Sequence, residues 1–106
     1  MKTICVIGSG TMGNGIAHTF AQHGFSVHLL DVQTSALERA MAIIEKNLER
    51  QVQKGSIGPN LKSDTLSRIK TFTDLESACK LADLVIEAAS EQISIKSQLF
   101  KDLDRF

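Results

Sequence analysis

The chain contains no tryptophan and no tyrosine, a single proline, and only two cysteines, Cys5 and Cys79. Two cysteines are too few for a disulfide framework, and they lack the spacing of metal ligands. A reduced protein of the cytoplasm is the resulting expectation. Charge of either sign is not in excess: 12 Lys and Arg balance 12 Asp and Glu. That balance excludes a general binder of nucleic acid or of a membrane surface, which needs a basic face. Long apolar runs are also missing. The opening run Ile4-Cys5-Val6-Ile7 is too short for a signal-peptide core, and nothing approaches the length of a membrane span. What is present, 42% hydrophobic and 23% charged residues in 106, is the composition of one folded domain or a piece of one.

Acidic residues are absent from the first 30 positions, and the first to occur is Asp31. Residues 3–7 form a β-rich run without alternating polarity, as expected of a strand buried on both faces of a parallel sheet. Glycines follow at 8, 10, 13 and 15. Met12, Ile16 and Phe20, with Ala17 and Ala21 beside them, mark one helix face. Gly24 sits where a C′ glycine ends a helix, with His23 in the last turn. Residues 25–30 read as a second strand that ends at Asp31. Leu37, Met41, Ile44, Leu48 and Val52 form the stripe of a long helix over 35–54, with Ser35 and Glu38 as a capping box and Gly55 as its stop.

Residues 56–60 hold the proline and read as a loop, followed by a short helix over 61–67 and a third strand over 69–72. Thr73 and Glu76 suggest a second capping box for a helix to about Lys80. Residues 84–89 make a fourth strand, and Ile95, Leu99 and Leu103 mark a last helix. Four strand–helix units in succession imply right-handed crossovers and a parallel sheet. The expected fold is therefore α/β, a Rossmann-type doubly wound parallel sheet over residues 1–106 that stops after the fourth strand–helix unit. A further strand would normally follow, so the chain reads as the first part of a larger protein.

Gly8-Ser9-Gly10-Thr11-Met12-Gly13 matches G-x-G-x-x-G. On its own the pattern is weak. Here it follows a strand, opens a helix, and is followed by Asp31, 18 residues past Gly13, at the end of the next strand. Gly8 permits the tight turn, Gly10 removes the Cβ that would block a pyrophosphate, and Gly13 lets helix and strand pack closely. The free N–H groups at the helix start then hold the diphosphate. Asp31 accepts hydrogen bonds from a ribose diol and repels a 2′-phosphate, which favours NAD over NADP.

The stretch Ile7-Gly8-Ser9-Gly10-Thr11-Met12-Gly13-Asn14-Gly15-Ile16-Ala17, with Asp31, resembles the start of the 3-hydroxyacyl-CoA dehydrogenases. So does Asp83-Leu84-Val85-Ile86-Glu87-Ala88-Ala89-Ser90-Glu91, followed by Ile95-Lys96 and Leu99-Phe100, and so does the long helix between the second and third strands. The resemblance covers essentially the whole chain. It implies the NAD-binding part of an oxidoreductase that oxidises 3-hydroxyacyl-CoA, for example 3-hydroxybutyryl-CoA, to 3-ketoacyl-CoA in fatty-acid or butanoate metabolism. Carried over by position, Gly8, Ser9, Gly10, Thr11, Met12 and Gly13 line the pyrophosphate and adenosine side, and Asp31 binds the adenine ribose. Ala89, Ser90 and Glu91 pass near the nicotinamide ribose, and Lys96 lies near the nicotinamide end. Asn47 and Lys54 match positions that contact coenzyme A.

Read from the residues alone, Glu91 and Lys96 lie beyond a strand's carboxyl end, where ligands bind in open α/β sheets. The plainer alternative is a helix-start Glu and an exposed Lys. Lys46, Arg50 and Lys54 repeat every four residues, as a solvated face balanced by Glu45 and Glu49 or as the contact for an anionic ligand. His18, His23 and His28 do not have the spacing of a helical metal pair, so no metal is expected. Glu87, inside an apolar strand, reads as a buried acid in need of partners. Oxidation of a hydroxyl also needs a general base. In the resembled family that base is a histidine oriented by a glutamate on segments beyond residue 106, and relatives associate through a helical second domain. The chain alone is therefore expected to hold no catalytic residue and to be inactive. The alternatives are a stand-alone NAD(H)-binding regulatory or interaction module, or another Rossmann cofactor user.

Overall fold

The computed structural model describes residues 2–88 and 94–97. The elements run β1 (Thr3–Ile7), α1 (Thr11–Gln22), β2 (Ser26–Leu30), α2 (Thr34–Gln53), α3 (Pro59–Ser67), β3 (Ile69–Phe72), α4 (Leu75–Cys79), β4 (Leu84–Glu87) and β5 (Ser94–Ser97). They build one sheet in the order β3-β2-β1-β4-β5. The first four strands are parallel, and β5 runs antiparallel to β4. The four-strand parallel core is the expected one.

Both faces of the central strands are covered, which explains the apolar runs of β1 and β4. Ile4 and Val6 of β1, Val27 and Leu29 of β2 and Ile86 of β4 pack under Ala17 and Ala21 of α1 and Leu37, Ala40, Ile44 and Leu48 of α2. Cys5, Leu30 and Val85 face the other way, onto Ala78, Cys79 and Ala82.

The buried side of α1 is Gly13, Asn14, Ala17 and Ala21. The expected stripe of Met12, Ile16 and Phe20 is only half-buried, flanking that contact. Small residues face the sheet because they let the helix axis approach closely. Asn14 follows the same side and spends its amide on α2, donating from Nδ2 to the Ala40 carbonyl at 3.0 Å. Gly24 and Gly55, at φ 98° and 76°, end α1 and α2 as expected. The Arg68 guanidinium reaches back to the Ala21 carbonyl at 2.8 Å, a cation at the carboxyl end of α1.

Several boundaries differ from the sequence reading. Neither expected capping box forms. The first helical residue of α2 is Thr34, so Ser35 already lies inside the first turn, and the Asp31 carboxylate takes the Gln33 N–H at 3.0 Å instead. At α4 the cap is Asp74, one residue after Thr73. Its Oδ2 accepts from the Ser77 N–H at 2.8 Å and the Ser77 hydroxyl at 2.7 Å, and aspartate is the stronger cap. Pro59 and Asn60, read as loop, begin α3, with proline at the helix start where its missing N–H costs nothing. Glu87 is exposed: it is the last residue of β4, at the rim of the sheet rather than inside it. Over 94–97 the expected helix is a strand. Ser94-Ile95-Lys96-Ser97 alternates polarity around a β-branched residue, and the open edge of β4 offers it a ladder. The helical spacing rested on Leu99 and Leu103, which lie outside the described residues.

Candidate functional site

The carboxyl ends of β1 and β2 are adjacent in the centre of the sheet, with Ile7 opposite Leu30. The chain leaves β1 at Gly8, whose φ of 100° is open to glycine alone without strain, and whose N–H donates to the Leu30 carbonyl at 2.8 Å. It enters α1 through Gly10 in extended backbone, with no side-chain cap. The first intrahelical bond is Asn14 N–H to the Gly10 carbonyl at 2.8 Å. The N–H groups of Thr11, Met12 and Gly13 therefore have no carbonyl to meet within the helix, and no acid occupies its first turn.

The three glycines do separate jobs. A Cβ on Gly13 would land inside the Gly8 carbonyl, with the carbon 2.8 Å away and the oxygen closer still. A Cβ on Gly10 would meet nothing within 4 Å. Gly13 is thus required by packing, while Gly10 keeps open the space a ligand would fill.

Asp31 directly follows β2 and is tied to the glycine turn across 22 residues of sequence. Its Oδ2 accepts the Ser9 N–H at 3.1 Å and the Ser9 hydroxyl at 2.7 Å, while Oδ1 accepts from Gln33. Partial burial pushes its carboxyl up. The hydrogen bonds from Gln33, Ser9 and the Val32 backbone outweigh that and hold it below its ordinary value of 3.8.

Two cavities meet at this junction. One, of about 420 Å³, is lined by Gly8, Gly10, Asp31, exposed Val32 and Ala88. The other, of about 560 Å³, lies between the amino end of α1 and the side of α2 from Ala36 to Asn47, and its wall includes Ser9, Gly10, Thr11, Asp31, Arg39 and Asn47. The structure therefore brings together Gly8, Ser9, Gly10, Thr11, Asp31 and Asn47. Met12 and Gly13 line neither cavity; Gly13 supports the turn from beneath. Lys54, the residue after α2, lies in a third cavity of about 490 Å³ lined by Lys46, Arg50 and Lys62 and also by Glu45 and Glu49; Lys62 is paired with Glu49 at 3.0 Å. Lys96 stands in β5 opposite Val85, two positions in from the rim pair Glu87 and Ser94. Ala89, Ser90 and Glu91 lie outside the described residues. Among the described residues no cluster of His, Cys, Asp or Glu could hold a metal.

Sequence reasoning missed the Ser9 hydroxyl as the clasp on Asp31, and Val32 and Arg39 as walls. The signals were a hydroxyl inside the glycine turn, an apolar residue directly after the acid, and a cation in the second turn of the next helix.

A parallel sheet ordered 3-2-1-4, with a glycine turn at its central strand and an acid closing the next, defines a dinucleotide-binding Rossmann domain. Comparison with known proteins narrows this class. The family model for the NAD-binding domain of 3-hydroxyacyl-CoA dehydrogenase matches residues 3–106, so the chain belongs to that family and its cofactor is NAD. The 3-hydroxyadipyl-CoA dehydrogenase of Escherichia coli K12 is 45% identical over 97% of the chain, which spans 22% of that protein. The 3-hydroxybutyryl-CoA dehydrogenase of Clostridioides difficile is 42% identical over 95% of the chain, which spans 36% of it. The crystal structure of 3-hydroxybutyryl-CoA dehydrogenase from Escherichia coli K12 superposes with a TM-score of 0.81 at 45% identity, covering 86% of this chain and 19% of that one. The open space at Gly10 and the carboxylate of Asp31 suit the pyrophosphate and ribose of NAD.

A carboxylate held below its ordinary value stays ionised through the neutral range. The stability contributed by its hydrogen bonds is present above the unfolded value and is lost as pH falls through the lower folded value. NADH affinity is accordingly expected to be level from about pH 8 to about pH 5. Fluorescence titrations across that range check it; an acid limb centred near neutrality would mean that Asp31 is not the group in control.

Proposed function

We propose that this chain is the NAD-binding part of an oxidoreductase that converts 3-hydroxyacyl-CoA to 3-ketoacyl-CoA. The observation that carries the reading is the clasp between Ser9 and Asp31, which sets a ribose-binding acid against the mouth of a pyrophosphate turn. In this reading the N–H groups at the start of α1 hold the diphosphate, Asp31 accepts from the adenine ribose diol, and Val32 offers an apolar wall to the adenine. Ala89, Ser90, Glu91 and Lys96 serve the nicotinamide half. The relatives' names differ in the acyl group but share the 3-hydroxyl and the CoA thioester, which supports 3-hydroxyacyl-CoA as the substrate class. Asn47 and Lys54 are assigned to the CoA portion. Asn47 shares a cavity with the glycine turn, and Lys54, just past α2, shares one of mixed charge with Lys46 and Arg50, the cations that would meet a phosphate there.

Bound NAD supplies the hydride acceptor. The hydroxyl proton needs a base, and the histidines of this chain are engaged elsewhere. His18 meets the Gln22 carboxamide at 2.8 Å, His23 the Thr19 carbonyl at 2.8 Å, and His28 the Ala78 carbonyl at 2.8 Å, on the α4 side of the sheet. We therefore propose that the isolated chain binds the cofactor without turnover, and that assembly into oligomers rests on parts of the full-length relatives outside this match. The free Cys5 and Cys79 fit a reducing compartment such as the cytoplasm.

The test is a titration of the purified chain with NADH, followed by cofactor fluorescence, with NADPH as control. No tryptophan or tyrosine interferes. Saturable micromolar binding with NADH preferred is the expected result, with no oxidation of 3-hydroxybutyryl-CoA by the same sample. Preference for NADPH would reject the cofactor geometry, and measurable turnover would reject the assignment of the base to other segments.

A further inference from the structure

Cys5 and Cys79 lie on the α4 side of the sheet and take no part in the cofactor site. Cys5 is the central residue of β1 and fully buried; Cys79 is the last residue of α4 and 6% exposed. Their sulfurs are 3.2 Å apart, one thiol donating to the other, although 74 positions separate them in sequence. Both are reduced. Leu30, Ala78, Ala82 and Val85 pack around them, and among the described residues no third metal-ligating side chain joins the pair to make a metal site. The approach still needed for a bond is about 1.2 Å, given an S–S length of about 2.04 Å.

We propose that Cys5 and Cys79 are a modification site for low-molecular-weight disulfides such as oxidised glutathione, which convert the pair into an internal disulfide joining β1 to α4. Cys79 reacts first. It is the more exposed of the two, and α4 is only five residues long, so a local opening that leaves the sheet intact presents its sulfur to solvent. The Cys79 thiolate attacks one sulfur of the oxidant, forming a mixed disulfide and releasing one small thiol. The Cys5 thiolate then attacks the Cys79 sulfur and releases the second. Two protein thiols are oxidised, one small disulfide is reduced to two thiols, and the two protein protons pass to the leaving thiolates. Burial, then the neighbouring thiol, push the Cys5 thiol up, which disfavours Cys5 as the first attacking group; the opening of α4 that exposes Cys79 also lifts the cover from Cys5, so its thiolate forms for the second step.

The experiment treats the protein with oxidised glutathione at mildly alkaline pH and reads the intact mass. The expected product is lighter than the reduced chain by two hydrogens, monomeric on a non-reducing gel, and yields one linked peptide containing both cysteines. Its unfolding temperature should rise by about 10 °C or more, because the bond closes a long loop in the unfolded chain, and should return on addition of dithiothreitol. Cys5→Ser should stop at a glutathione adduct on Cys79, whereas Cys79→Ser should react far more slowly. Stable glutathione adducts on the unsubstituted protein, intermolecular dimers, or an unchanged mass in excess oxidant would each overturn the proposal. The mass of the unsubstituted protein decides it even if neither variant folds.

Discussion

Replacing Gly13 by alanine is expected to lower stability by about 3 kcal/mol or more, because backbone has to move to admit the methyl group. The obstacle is the Gly8 carbonyl, which is fixed by its place in the turn between β1 and α1 and cannot rotate away as a side chain would. Gly8 is itself at positive φ, and its N–H is committed to Leu30, so the turn has no freedom to relax. The unfolding midpoint should drop by roughly 15 °C, given about 4–8 °C per kcal/mol in a domain near this size. Gly10→Ala is the control that separates packing from binding. A Cβ there meets nothing, so stability should change by less than about 1 kcal/mol, mostly from losing a better N-cap residue. NADH affinity should nevertheless fall by about tenfold or more, equivalent to ~1.4 kcal/mol, since the methyl occupies ligand space. Thermal melts and NADH titrations of both variants check the pair. Equal stability for Gly13→Ala and the unsubstituted chain would show that the turn is not held as described.

The contrast between the two glycines also shows what was legible in the sequence. G-x-G-x-x-G between a β run and a helical run, with Asp31 closing the next β run, carries the site because each feature is local and periodic. The parallel core was legible in β1, whose unbroken apolar run marks a strand buried on both faces, while β3 (Ile-Lys-Thr-Phe) is a half-exposed edge strand; both fall at the expected residues. What was not legible depends on competition between neighbours. Thr73 and Asp74 both suit a helix cap, and only the fold selects aspartate. Ser35 looked like a cap until Asp31 captured the N–H ahead of it. On α1 the expected face divides: Ala17 and Ala21 are its buried part and Met12, Ile16 and Phe20 its half-buried flank, because close packing on a sheet favours Gly, Ala and a hydrogen-bonded Asn over Phe and Met. Ile95 served two patterns at once, a helical one with Leu99 and an alternating one with its neighbours. The open ladder of β4 decided for the strand.

Asp31 is the position where charge and geometry act together, and its substitutions should divide the two. Asp31→Ala is expected to weaken NADH binding by about 1–3 kcal/mol, or roughly 5- to 150-fold, the size of a lost charge-assisted hydrogen bond. Part of that loss is indirect. The carboxylate also clasps the Ser9 N–H and hydroxyl, so alanine leaves the glycine turn without its tie to β2. Asp31→Asn removes the charge and keeps one acceptor oxygen, which can still face Ser9 while the amide nitrogen replaces the oxygen that accepts from Gln33. If charge controls cofactor choice, the asparagine variant should lose part of its NADH affinity while NADPH affinity holds or rises, so that the preference narrows. Arg39, which lines the same cavity, would then meet a 2′-phosphate without a competing carboxylate. If the clasp matters more than the charge, asparagine should stay close to the unsubstituted chain for both cofactors, while alanine loses both together. Titrating the two variants with both reduced cofactors, alongside the Ser9→Ala variant that breaks only the hydroxyl arm of the clasp, distinguishes these outcomes. Unchanged NADH affinity in all three would place the ribose against some other group and remove Asp31 from the site.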